Sequence, residues 1–189
     1  MNIVIFDLKA TRSGRSPNSD EIVAISAIKL KAGNMDEIEK FNTFAQCRPP
    51  LPTWVQVADI LHAPVLQDAL VNFSRFVGDA WLIAERGPSG KMPFIHEACA
   101  RHHLFTREVR VVDSGDFARK LWPDVCLATL REISERLEIS QAKGRLHSNP
   151  NLERLAVAVL HMWGRLSRDF EACPVGSCTG LVPAYGEGT

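Results

Sequence analysis

The spacing of apolar and polar positions changes period near residue 53, and that change divides the chain's secondary structure. Before it, "NIVIFDL" is an uninterrupted apolar run, the signature of a central strand buried on both faces. Turn residues in "TRSGRSPNSD" follow, then a second β-rich run, "EIVAISAIKLK". "AGN" turns the chain into a third strand over "EIEKFNTFAQ". Short turns predict antiparallel neighbours, and so an opening three-stranded meander. "RPPLP" ends it, since consecutive prolines cannot donate to a ladder.

From Thr53 onward, "WVQVADILH" and "VLQDALVNFSRFVG" space their apolar residues by three and four, the pattern of amphipathic helices. "AWLIAE" predicts a short buried strand, "GPSGKMP" a loop and "FIHEACARHHL" a helix. "EVRVVD" is a further strand, and "SGDFARKLW" and "CLATLREISERLEI" are further helices. A last helix lies in "HSNPNLERLAVAVLHMWGRL", with Asn149 as N-cap and Pro150 at the first helical position. The pattern predicts an α/β domain over residues 1–170, a mixed five-stranded sheet with helices on both faces. Residues 171–189, rich in Gly and Pro, read as a loosely packed or disordered tail. In such sheets ligands sit at the carboxyl ends of the central strands, and the first strand ends near Asp7.

Composition narrows the function classes. With 22 basic and 22 acidic residues among 189, the formal net charge is zero, so any binding to phosphates must be local. No apolar run approaches the ~20 residues needed to span a bilayer, and "MNIVIFDL" lacks the features of a signal peptide. Cys47, Cys99 and Cys126 sit in apolar or helical surroundings, where a free thiol acts as a small core residue. "CPVGSC", with Cys173 and Cys178, could close a disulfide loop or a metal clip but has no second Cys/His pair at zinc spacing. A cytoplasmic, reduced protein without a membrane partner is expected.

"IVIFDLKATRSGRSPNSDEIVAISAIKL" resembles the first motif of the DEDDh exonucleases, the DnaQ-like branch of the RNase H-like fold. The resemblance continues through "ADILHAPVLQDALVNFSRFVGDAWLIAE", "VVDSGDFARKLWP", "LATLREISERLEI" and "RLHSNPNLERLAVAVL", covering roughly residues 1–168 in order. It implies the RNase H-like fold and 3′–5′ exonuclease ancestry. Members of this family hold two divalent cations between four carboxylates, with a histidine that helps deprotonate the attacking water. Two metals about 4 Å apart stabilise both the attacking and the leaving oxygen, and hard cations need several anionic oxygens.

Carried over by position, Asp7 matches the first carboxylate and His147 the histidine, so these two are the candidate catalytic residues, with Asp7 a candidate metal ligand. The second carboxylate position is Lys9, the third falls near Gly90 or Lys91, and the fourth falls on Leu152, beside Asn151. A site lacking three anionic ligands leaves metal charge uncompensated, and Lys9 adds a repelling charge. The expectation is therefore a degenerate domain with no cofactor, acting as a binding module for single-stranded nucleic acid, 3′ ends or a protein. Mg²⁺ or Mn²⁺ would be expected only of an active, divergent 3′–5′ exonuclease using an acid such as Asp113. A purely structural interaction domain is the other alternative.

Lys9, Thr11, Arg86 and Lys91 are the candidate substrate contacts. Lys9 could serve as a built-in cation offered to a phosphate, or could only neutralise a leftover aspartate. The stretch "ERGPSGKMPFIHEACARHHLFTREVR" could form a phosphate-facing patch, though its mixed charges read more simply as a solvated surface. Asp113 and Asp116 read as helix caps.

Overall fold

The first strand, β1 (Asn2–Ala10), shows why the sheet has two covered faces. Its side chains alternate: Val4, Phe6 and Leu8 enter one core, Ile3 and Ile5 the other, and all five are buried. The computed structural model of the protein describes residues 2–11, 16–31, 37–48, 51–125, 128–139, 150–166 and 178–184.

The expected meander is present. β2 (Ile22–Lys31) runs antiparallel to β1, with Ile5 opposite Ile28, and β3 (Glu37–Phe44) runs antiparallel to β2. The chain then forms the short α1 (Val57–Leu61) and α2 (Leu66–Val77) before crossing to β4 (Trp81–Ala84), parallel to β1. A second crossover, through α3 (Met92–Arg101), leads to β5 (Thr106–Asp113), parallel to β4. α4 (Ser114–Leu121), α5 (Leu130–Arg136) and α6 (Pro150–Leu166) follow.

α2 buries Leu66, Ala69, Leu70, Phe73, Phe76 and Val77, the stripe set by its three–four spacing, and ends where Gly78 takes φ 54°. With α3 it covers the Val4–Phe6–Leu8 face, where the Phe6 and Phe73 rings lie 5.6 Å apart. Such a ring pair adds about 0.5–1.5 kcal/mol beyond its buried area. α4, α5 and α6 cover the Ile3–Ile5 face through Phe117, Ile133, Leu155, Val159 and Met162.

Two expectations need correction. Among the described residues the sheet has six strands, in the order β3-β2-β1-β4-β5-β6, and not five. The added strand, β6 (Cys178–Pro183), comes from the segment read as a loose tail and pairs antiparallel with β5. Its Gly and Pro count against a strand by propensity, but both suit their places. A Cβ on Gly180 would lie 2.5 Å from Val111 Cγ2 and 2.9 Å from Met92 Cε, so only glycine fits the approach. Pro183 ends the strand at a sheet edge, and its carbonyl accepts the Ser74 hydroxyl at 2.5 Å. α5 is also shorter than its pattern suggests, starting where Thr129 Oγ1 accepts the Glu132 N–H.

Candidate functional site

β1, β4 and β5 are parallel neighbours, so their carboxyl ends share one edge of the sheet, with Asp7, Ala84 and Asp113 near it. Asp7 follows Ile3 and Ile5 on the face covered by α4–α6, and is only 8% exposed. A carboxylate taken this far out of water costs several kcal/mol unless charges or N–H groups meet it.

Two ammonium groups do so. Lys9, two residues along the strand and therefore on the same face, places Nζ 3.2 Å from Asp7 Oδ2. Lys91 arrives from the far side of the β4 crossover, with Nζ 2.5 Å from Asp7 Oδ1 and 3.2 Å from the carbonyl oxygen of Leu8. The sequence predicted a loop here; the structure has a single wide helical turn over Gly87–Lys91. Arg86 opens it in the left-handed region (φ 50°, ψ 42°), and its carbonyl accepts N–H bonds from both Gly90 (2.6 Å) and Lys91 (3.2 Å). The turn closes five residues apart, from Met92 N to Gly87 O, and so carries one residue more than an α-helical turn. That extra residue brings Lys91 to the carboxylate, in the region where the resemblance expected an aspartate.

The donor set does not fit a divalent cation. Each Asp7 oxygen faces an ammonium, and a metal there would meet two positive charges at contact distance. Among the described residues, no three His, Cys, Asp or Glu side chains come together where they could hold a metal. Leu152, where the resemblance expects the fourth carboxylate, is a buried residue of α6, and Asn151 is exposed.

Other candidates are placed apart from this carboxylate or outside the described residues, as His147 is. Thr11 is buried, its N–H donating to the Glu21 carbonyl and its Oγ1 accepting the Glu21 N–H at 2.9 Å, so it clamps the end of the β1–β2 ladder. Arg86 is exposed at the head of the wide turn, with its N–H donated to Asp113 Oδ1. Asp113 also accepts the Gly115 N–H as the N-cap of α4, and Glu85 accepts the Leu130 N–H at the start of α5. Apart from Lys91, the basic stretch does not converge on Asp7. Arg101 donates to the carbonyls of Pro17 and Asn18, Arg107 to those of Ser74 and Gly78, and Arg110 stacks over Trp81. Sequence reasoning gave Lys91 as a candidate but missed its pairing with Asp7. The only signal for it was its place in the second motif.

No protein-family model matches the chain. It is 29% identical over 143 residues to a DNA polymerase III PolC-type of Clostridium perfringens, covering 72% of this chain and 10% of the relative. A PolC-type polymerase of Streptococcus pyogenes is also 29% identical, over 72% of this chain and 9% of its own length. The chain thus spans about a tenth of the length of the curated relatives it matches. Among solved structures, a full-length 3′-exonuclease superposes with a TM-score of 0.71 at 14% identity, covering 98% of this chain and 67% of that one. The nuclease domain of 3′hExo, a DEDDh family member bound to rAMP, gives a TM-score of 0.70 at 14% identity over 95% of this chain and 96% of that one. E. coli exonuclease I in complex with a dT13 oligonucleotide gives 0.67 at 12% identity, over 90% and 43%. The chain thus shares the RNase H-like fold of these DEDDh-type exonuclease structures and is similar in sequence to the PolC-type relatives, in line with the DnaQ-like resemblance of its motifs.

Proposed function

We propose that this domain is a noncatalytic DnaQ-like module that binds nucleic-acid ends without hydrolysing them. The carrying observation is the closure of Asp7 by Lys91 at 2.5 Å and Lys9 at 3.2 Å. Phosphodiester displacement in two-metal sites depends on cations that offset charge on the attacking and leaving oxygens. Here the one carboxylate retained from the motif is matched to ammonium groups, which neither activate water nor bind a leaving oxygen as a Lewis acid. Support for nucleic-acid ends comes from the structural neighbours, one described as recognising the 3′ end of a histone mRNA stem-loop and another as holding dT13. Among the described residues no helix is long and apolar enough to cross a membrane, and a cytoplasmic setting suits the free thiols of Cys47 and Cys99.

A 3′-labelled and a 5′-labelled single strand, of DNA and of RNA, incubated with the protein and Mg²⁺ or Mn²⁺ should stay full length. Shortening from the 3′ end that Asp7→Ala abolishes would refute the noncatalytic reading.

A second reading, a protein-docking module, has one specific observation behind it. Trp54, Val57, Leu61 and Val65 are 43–67% exposed within twelve residues around α1, an apolar ridge on a chain of zero net charge.

A further inference from the structure

The mismatch between this cleft and a metal has a positive side: two cations are already built in. We propose that Lys9 and Lys91 together form a metal-independent site for a phosphate group, with a terminal phosphomonoester as its best ligand. The proposal rests on the noncatalytic reading above and adds to it the chemistry that is bound.

Three features of the lysine pair carry it. The first is the count of donors. An ammonium has three N–H groups. Those of Lys91 include one donated to Asp7 and one to the Leu8 carbonyl, and those of Lys9 include one facing Asp7. The Lys9 and Lys91 side chains keep 38% and 25% of their surface exposed while that of Asp7 keeps 10%, so both lysines are more open to solvent than the carboxylate they meet.

The second is spacing. Both nitrogens are held to one carboxylate, which keeps them within about 8 Å of each other, a span that one phosphate bridges through two N–H···O bonds. The free energy of ordering two long side chains is already spent in the fold, because Asp7 and the wide turn hold them in place.

The third is charge. Two ammonium groups against one carboxylate leave a positive excess at the opening. Among the described residues both lysines form their ion pairs with Asp7, while Asp113 and Glu85 accept backbone N–H groups at Gly115, Arg86 and Leu130 and pair with neither. A phosphomonoester carries more charge than an internal diester, so a strand end or a free nucleotide should bind better than the middle of a strand. With zero net charge over the whole chain, little else attracts a polyanion.

The test is anisotropy of 5′-fluorescein dT10, with a 3′-phosphate or a 3′-hydroxyl, titrated with the full chain in EDTA. The expected result is binding that Mg²⁺ does not improve, at least threefold tighter for the 3′-phosphate. The slope of log K against log salt should be about −1.4, for two phosphate charges met on a single strand. Lys9→Gln and Lys91→Gln should each weaken binding fivefold or more. Lys9 is the better exposed of the pair, so Lys9→Gln should melt like the parent and keeps the test valid should Lys91→Gln unfold. AMP and inorganic phosphate serve as competitors. Displacement by AMP assigns the site to free nucleotides as well, and resistance to it assigns the site to strands.

No binding in EDTA together with an intact oligonucleotide in Mg²⁺ overturns the phosphate site and leaves the noncatalytic reading standing. Binding that requires Mg²⁺ and shortens the strand overturns both. Binding unchanged in Lys9→Gln overturns the assignment to this pair.

Discussion

At the scale of single residues, Asp7 and its two lysines should be energetically unequal. Lys91 is the closer partner and the less exposed, and it also bonds the Leu8 carbonyl, whereas Lys9 reaches the carboxylate from a more open position. Removing one partner of a buried pair leaves the other charge uncompensated, while exposed pairs contribute little. Lys91→Met should therefore destabilise the fold by about 2–3 kcal/mol and Lys9→Met by less than about 1 kcal/mol in urea unfolding. Asp7→Asn removes the charge that needs them, so adding it to Lys91→Met should recover most of the loss. A coupling of about 2 kcal/mol in that double-mutant cycle is expected. Additive effects would show that Lys91 acts on stability through something other than Asp7. The lysine at position 9 was legible in the sequence because a strand's period of two fixes its face once Asp7 is placed. Lys91 was not, because its reach depends on one extra residue in a turn that reads as an ordinary Gly-Pro loop.

At the scale of elements, the central strands and the long helices were readable because their periodicity and their burial agree, as in α2 and β1. β6 was not, because its stability comes from long-range contacts and not from propensity. Part of that support is a histidine. The Leu181 N–H, on the side of β6 turned away from β5, donates to His96 Nε2 of α3 at 2.8 Å. Burial lowers the His96 pKa from its ordinary value of 6.5, since the folded protein favours the neutral ring. The unfolded chain then binds the proton more readily. The contribution of His96 is fully present above pH 6.5 and falls as pH drops through 6.5 towards the lower folded value. A protonated Nε2 can no longer accept the Leu181 N–H, so the docking of β6 on α3 loosens in the same range. Urea melts between pH 7.5 and 5 should show this decline in the parent and a shallower one in His96→Gln, whose amide oxygen can accept without titrating. Parallel curves for the two proteins would remove His96 from the account.

At the scale of the whole molecule, the fold superposes on solved 3′-exonucleases, while the carboxylate at the end of β1 meets two positive charges. Reversing those two charges tests whether the scaffold can hold a metal there. Lys9→Glu combined with Lys91→Asp would set three carboxylates around the end of β1, a hard-oxygen donor set suited to Mg²⁺ or Mn²⁺. Without metal, their mutual repulsion should lower the melting temperature. Added Mn²⁺ should raise it again, since a ligand at a hundred times its Kd stabilises by about 2.7 kcal/mol. The parent, with two ammonium groups in the same place, should show no such shift. Hydrolysis is not expected from the double variant, because α6 buries Leu152 in the core where the resemblance expects a fourth carboxylate. A Mn²⁺-dependent melting shift in the parent equal to that of the double variant would mean that metal is held elsewhere. A variant that binds Mn²⁺ where the parent does not would show that the two ammonium groups, and not the fold, keep metal from the end of β1.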